Sequence, residues 1–204
     1  MIVKNVLLAI VAATLALAGS PAGSGKWTEV SPSFRVQECA GGKASGDTFT
    51  LPKSPNGSTS GAGCSNGHLR AERRYVNDYT SGVHQFGGEF KITSLTGTHI
   101  SLKQTHGVDI TYFMLAVKSN GDIYSIGDGK TIASGVAKVG DTVRINTIHD
   151  ANKKTYSVYV NGKESYTDNN APIDTFYDKF GAYTANSGSG AITVTWSDIQ
   201  FWTQ

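Results

Sequence analysis

Beyond residue 18 the chain has no long segment in which apolar residues recur every three to four positions. Short alternating or β-branched runs recur instead, at Glu89–Leu95, His99–Thr105, Thr111–Lys118, Thr142–Ile148, Thr155–Val160 and Ala191–Trp196. Turn signals separate them: Asn120-Gly121, Gly127-Asp128-Gly129, Gly140-Asp141, Asn161-Gly162 and Ser187-Gly188-Ser189-Gly190. Asn161-Gly162 closes the run Tyr156–Val160 and predicts a type I′ hairpin, because both residue types accept positive φ. Many short strands at this spacing predict an all-β fold, an antiparallel β-sandwich or jelly roll. No repeat of solenoid period and no linker divides the chain, so one domain is expected.

The first segment reads as an export signal. Lys4 supplies a positive start, Val6 to Leu17 is almost wholly apolar, and Ala16-Leu17-Ala18 is a small-residue cleavage site. Residues 1–18 are therefore expected to be a signal peptide, and 19–204 a secreted domain. The apolar run is too short for a stable membrane span and no later run is longer, so no membrane partner is expected after cleavage. The remaining ~186 residues suffice to bury a sizeable core. A net charge of +2 argues against a general nucleic-acid binder; attraction for a polyanion must come from a local cluster. Cys39 and Cys64, in an export context, predict one structural disulfide that pins the Gly/Ser/Pro-rich stretch from Lys53 to Gly67. Closing that loop should stabilise the fold by about 3–4 kcal/mol in the chain-entropy picture.

Three segments place unusual polar groups at the strand period of two, which sends i and i+2 to one face. Arg70, Glu72 and Arg74 share a face in Arg70-Ala71-Glu72-Arg73-Arg74. Gln104 and His106 share one in Lys103-Gln104-Thr105-His106. Lys179 and Tyr183 point together across Gly181, a glycine that leaves room for close approach over the sheet. Singly, such stripes are solvated ion-pair ladders or core tyrosines. Side by side, they would assemble arginines, a lysine, an amide, an imidazole and a phenol.

That inventory suits proton abstraction at C5 of a uronic acid. The neighbouring carboxylate must be neutralised first, or the carbanion-like transition state sets negative charge beside negative charge. Arg70 and the Gln104 amide would bind the carboxylate, which is preorganised electrostatic stabilisation. His106 or Tyr183 would take the C5 proton, with Tyr183 returning one to the leaving O4. Glu72 would orient the two arginines. No metal, no cofactor and no paired carboxylates are needed.

On these residues the chain resembles polysaccharide lyase family 7, the alginate lyases, and its jelly-roll, concanavalin A-like relatives. That pattern is an Arg-x-Glu-x-Arg strand, a Gln-Ile/Val-His strand and a late Lys-x-Gly-x-Tyr strand. Here Arg70–Arg74, Gln104–His106 and Lys179–Tyr183 follow in the same order, within a likeness running from about Trp27 to Trp202. The resemblance implies carboxylate neutralisation by Arg70 and Gln104. It implies His106 as base and Tyr183 as acid, or Tyr183 as both. Arg74 and Lys179 become substrate contacts, and an acidic polysaccharide acted on by a monomer becomes the expected substrate. Arg73 stands where the family usually has Leu, Thr105 where it has Ile or Val, and Ala185 where a Gln closes the third motif. Glucuronan lyases are similar in fold and in an acid/base tyrosine, so glucuronan is an alternative substrate.

Two rivals are weighed against this reading. A jelly-roll hydrolase needs two carboxylates flanking the glycosidic bond, but the five glutamates (Glu29, Glu38, Glu72, Glu89, Glu164) form no close acidic strand pattern. A non-catalytic carbohydrate-binding module would use aromatic platforms, for which Tyr75, Tyr79, Tyr112 and Tyr124 are candidates. The five histidines show no paired zinc spacing, and Asp122 and Asp128 lack a calcium-loop pattern.

Overall fold

A computed structural model describes residues 19–204 apart from 62, 65 and 185–190. The expected signal peptide, Ala185 and the Ser187–Gly190 turn lie outside the described residues.

Fifteen strands form among the described residues: β1 (Thr28–Val30), β2 (Phe34–Cys39), β3 (Lys43–Ser45), β4 (Thr48–Leu51), β5 (Leu69–Tyr75), β6 (Val83–Leu95), β7 (His99–Gly107), β8 (Phe113–Lys118), β9 (Ile123–Ser125), β10 (Thr131–Ala133), β11 (Thr142–Asp150), β12 (Thr155–Val160), β13 (Lys163–Asp168), β14 (Phe176–Thr184) and β15 (Ile192–Thr203). They build two antiparallel sheets stacked as a sandwich. One runs β13-β12-β11-β6-β15-β4-β3 with β1 added on β15, and the other runs β10-β9-β8-β7-β14-β5-β2. Every predicted run lies in or overlaps a strand, and the strands extend the runs most where glycine or polar residues interrupt the apolar rhythm, as in β6 and β15. Asn161 and Gly162 both take positive φ, 50° and 79°, and join β12 to β13 as the type I′ reading requires. No helix among the described residues is long and apolar enough to cross a membrane.

Alternation decides which side chains form the core. β12 buries Tyr156, Val158 and Val160 and leaves the intervening residues half-exposed. On β14 the buried ring of Phe180 lies within 5.0–5.7 Å, centroid to centroid, of Phe49, Tyr75, Phe86 and Trp196. Burying each such side chain contributes about 1.5–3 kcal/mol. This cluster clamps β14 to the opposite sheet, so the outer face of β14 is held on a rigid support.

Cys39 and Cys64 form the expected disulfide. Cys39 pairs with Arg70 across β2 and β5, so the bridge anchors the loop that leads into β5.

Two of the three motif departures, Arg73 and Thr105, fall on the inner face. Arg73 lies over the rings of Phe34 and Phe49 and reaches the sandwich rim, where it pairs with Asp47 at 2.6 Å. Thr105 is fully buried and bonds Tyr156 Oη at 2.9 Å. These two substitutions therefore alter the core, not the outward surface.

Candidate functional site

β14 is flanked by β5 and β7, which brings the three polar segments together. Lys179 sits opposite Arg74 on one side and Gln104 on the other, Tyr183 opposite Arg70, and Tyr177 opposite His106. The outer face of this three-strand centre thus carries Arg70, Glu72, Arg74, Gln104, His106, Lys179 and Tyr183, as the period-two reading expected.

Gly181 has a different task from the one expected. It lies at a register shift with φ +141°, and a Cβ there would stand 2.3 Å from the Ala71 carbonyl oxygen. What approaches Gly181 closely is the backbone of β5. Its carbonyl also accepts from Trp196 Nε1 at 3.3 Å.

Glu72 is the hub. Its side chain is 1% exposed and receives Arg70 Nη1 on Oε2, Lys179 Nζ on Oε2 at 2.9 Å, and Gln104 Nε2 on Oε1. Burial works to raise this carboxyl, but the charges and hydrogen bonds of Lys179 and Arg70 outweigh it and hold it below the ordinary range. Burial and the neighbouring Arg70 lower the Lys179 ammonium, while Glu72 opposes them. Glu72 therefore orients Arg70 and Lys179, not both arginines. Arg74 turns to the rim, donating to Asp78 at 2.6 Å and lying 4.0 Å over the Tyr177 ring.

Arg70 is held by Glu72 through one end of its guanidinium, which lies 4.3 Å over the Tyr183 ring. Its buried Nε has no partner among the described residues, so one donor remains uncommitted. The Tyr183 phenol is raised, first by burial and against the lowering charge of Arg70, so it is protonated at rest. Its oxygen lies 2.8 Å from His68 Nδ1 and receives Asn66 Nδ2 at 3.3 Å.

His106 stacks on Tyr177 with centroids 5.2 Å apart. Its Nδ1 contacts the Gly107 carbonyl and its Nε2 lies 3.2 Å from Thr111 Oγ1. Burial lowers its pKa, so the ring is neutral at neutral pH. It stands six residues along β14 from Tyr183 in register, and no contact joins the two.

The sequence reading missed Tyr177, His68 and Asn66. Tyr177 is two residues before Lys179, and His68 is two before Arg70, so the same parity would have found both. Of the proposed platforms, Tyr75 and Tyr79 are buried in the sandwich and cannot serve. Tyr112 is half-buried and donates to Asp168. Among the described residues no group of three or more His, Cys, Asp or Glu could hold a metal ion.

Fold and face together define a jelly-roll sandwich with a cationic, hydrogen-bonding surface across the middle of one sheet. Among solved structures it is similar to AlgAT5, an alginate lyase of polysaccharide lyase family 7, with TM-score 0.62 and 19% identity over 87% of this chain and 85% of that one. It is similar also to the marine family 7 alginate lyase AlyA1 from Zobellia galactanivorans, with TM-score 0.63 and 13% identity over 87% and 95%. The chain thus has the family 7 alginate lyase-like jelly-roll fold. No protein-family model matches it. In sequence it is 29% identical over 129 residues to the citrate-binding protein of Hevea brasiliensis, 62% of this chain. That match spans about half the length of the relative, 52%.

Proposed function

We propose that the chain is a secreted polysaccharide lyase that cleaves an alginate-type, uronic-acid-containing polysaccharide by β-elimination. The observation that carries this reading is the Glu72-centred net, which holds Arg70 and Gln104 rigid beside the Tyr183 phenol. The Arg70 guanidinium and the second Gln104 amide hydrogen receive the substrate carboxylate. They stabilise the charge that develops as C5 loses its proton, and they are ordered before substrate arrives. Tyr183 stands at the end of this row as the proton-transfer group, with the neutral His106 as the second candidate base. Arg74, Lys179 and Tyr177 extend the cationic and aromatic surface along the strand, where neighbouring sugars of an anionic chain would lie. The order of the three motifs and the shared fold support the same assignment. Glucuronan is the alternative substrate.

The test is to mix the protein with alginate blocks, glucuronan and related polyuronates and follow the ultraviolet absorbance of the C4=C5 double bond. Wild type should generate it with at least one polymer. Tyr183→Phe should lose about 100-fold or more in kcat, the usual weight of a positioned acid/base, and stay folded. Full activity in Tyr183→Phe sinks the assignment, and new reducing ends without absorbance indicate hydrolysis instead.

One observation favours a second reading. The similarity to a citrate-binding protein fits a cationic face that holds carboxylates without cleaving anything. Calorimetry with citrate that shows binding abolished by Arg70→Ala, in a protein inert toward every polyuronate, would favour this role.

A further inference from the structure

We infer that His68 is the proton partner of Tyr183, acting through the phenol as a positioning residue; this rests on the lyase reading above. A phenol whose pKa is raised cannot take a proton from C5 unless its own proton has somewhere to go. Among the described residues one acceptor reaches the phenol oxygen. His68 Nδ1 lies 2.8 Å from the phenol oxygen, with the two rings tilted and their centroids 6.0 Å apart. Asn66 Nδ2 donates to the same oxygen, which leaves the phenolic hydrogen for the imidazole. Nδ1 then accepts, and Nε2 carries the ring's own hydrogen. His106 is ill placed for this task, because both of its nitrogens are engaged by Gly107 and Thr111 and its ring faces Tyr177.

The step balances. As the phenol proton moves to His68 Nδ1, the phenol oxygen takes the C5 proton. The C5–H electron pair becomes the C4=C5 double bond, and the C4–O4 bond breaks with its electrons on O4. O4 then takes a proton from Tyr183, which recovers its own from the His68 imidazolium. Enzyme groups return to their starting state, and the products are an unsaturated uronate and a free 4-hydroxyl.

The chain path supports the pairing. Asn66 and His68 lie two and four residues after Cys64, and the Cys39–Cys64 bridge ties that loop to the end of β2. The disulfide therefore anchors the segment just ahead of the two side chains, Asn66 and His68, that meet the Tyr183 oxygen.

The decisive comparison is His68→Gln beside His68→Ala and His106→Ala, each checked for an unchanged melting curve. Glutamine can accept the phenol's hydrogen bond but cannot take its proton. We expect both His68 variants to lose about 100-fold in kcat with KM within about threefold, the loss expected of general acid–base transfer. Added imidazole should restore part of the His68→Ala rate. Wild-type kcat in His68→Gln, or loss confined to His106→Ala, overturns the inference. A second measurement does not depend on activity: the Nδ1 ¹⁵N resonance of His68 should shift in Tyr183→Phe, and an unchanged resonance overturns the pairing. If wild type cleaves no polyuronate, the lyase reading falls, while the resonance still decides whether the two side chains are partners.

Discussion

Asp178 and Lys179 are adjacent on β14 and point to opposite faces, and each is part of a buried ionic net. The inward net is closed. Lys103, 0% exposed, donates its three ammonium hydrogens to Asp178 Oδ1 at 2.6 Å, Thr105 Oγ1 at 2.9 Å and the Gln104 carbonyl at 3.0 Å. Asp178 also receives Thr105 Oγ1 at 3.2 Å and Asn77 Nδ2 at 2.8 Å. The outward net has the same ingredients but is left open. Glu72 pairs with Lys179 and one end of Arg70, yet Arg70 Nε has no partner among the described residues and lies beside the Tyr183 phenol. Chemistry alone does not separate the two nets; they differ in that the outward one keeps an unspent Arg70 donor beside the Tyr183 phenol.

Four predictions bear on this contrast. The largest effect belongs to the closed net. Asp178→Asn leaves the Lys103 ammonium buried without its counter-charge and should cost about 3–5 kcal/mol in urea unfolding. Lys103→Met with Asp178→Leu removes both charges and should recover most of that loss, since apolar replacement of a buried pair is often close to neutral. If the double variant is as unstable as the single, the inward net does more than satisfy itself. The open net should respond in turnover rather than folding. Arg70→Ala should lower kcat by about 100- to 1,000-fold, as for removal of one oxyanion-type donor, and not merely raise KM. An effect on KM alone would make Arg70 a ground-state binder.

Gly181→Ala probes the close approach of β14 to β5. With φ at +141° and the Ala71 carbonyl in the way, the substitution should destabilise by about 1–3 kcal/mol. It should reduce activity as well, because Tyr183 is two residues on. A neutral effect would restore the expectation that this glycine clears space for substrate. The smallest difference is in acid. Burial raises the Asp178 and Glu72 carboxyls, but their cationic partners win, and both lie below their ordinary values. Their stabilisation is therefore complete above the unfolded carboxylate value of about 4 and is lost as pH falls through the lower folded values. Unfolding free energies at neutral and strongly acidic pH should show this loss in wild type, and less of it in the double variant lacking Asp178. Equal acid sensitivity in both would show that Asp178 does not carry the effect.

Much of the outward face was legible in the sequence because strand parity is local: Arg70, Glu72 and Arg74 share a side whatever lies next to them. The same parity reaches His68 and Tyr177, one step beyond the motif ends. Asn66 was not legible, since its approach to Tyr183 depends on the path of a loop that the disulfide anchors. Nor was the inward net, because Lys103 and Asp178 are 75 residues apart and become partners only when β7 and β14 pair.

The sequence by itself determined that the chain folds into antiparallel strands, where they turn, and which polar residues share a side. Those properties follow from backbone dihedrals and a two-residue period, which neighbouring residues specify. Only the tertiary structure decided that Glu72 holds Arg70 and Lys179 rather than two arginines. It also decided that Arg73 and Thr105 face the core, and that Tyr183 meets His68. Each of these depends on strand order and register across the sheet, where a side chain's role is set by partners distant in the chain.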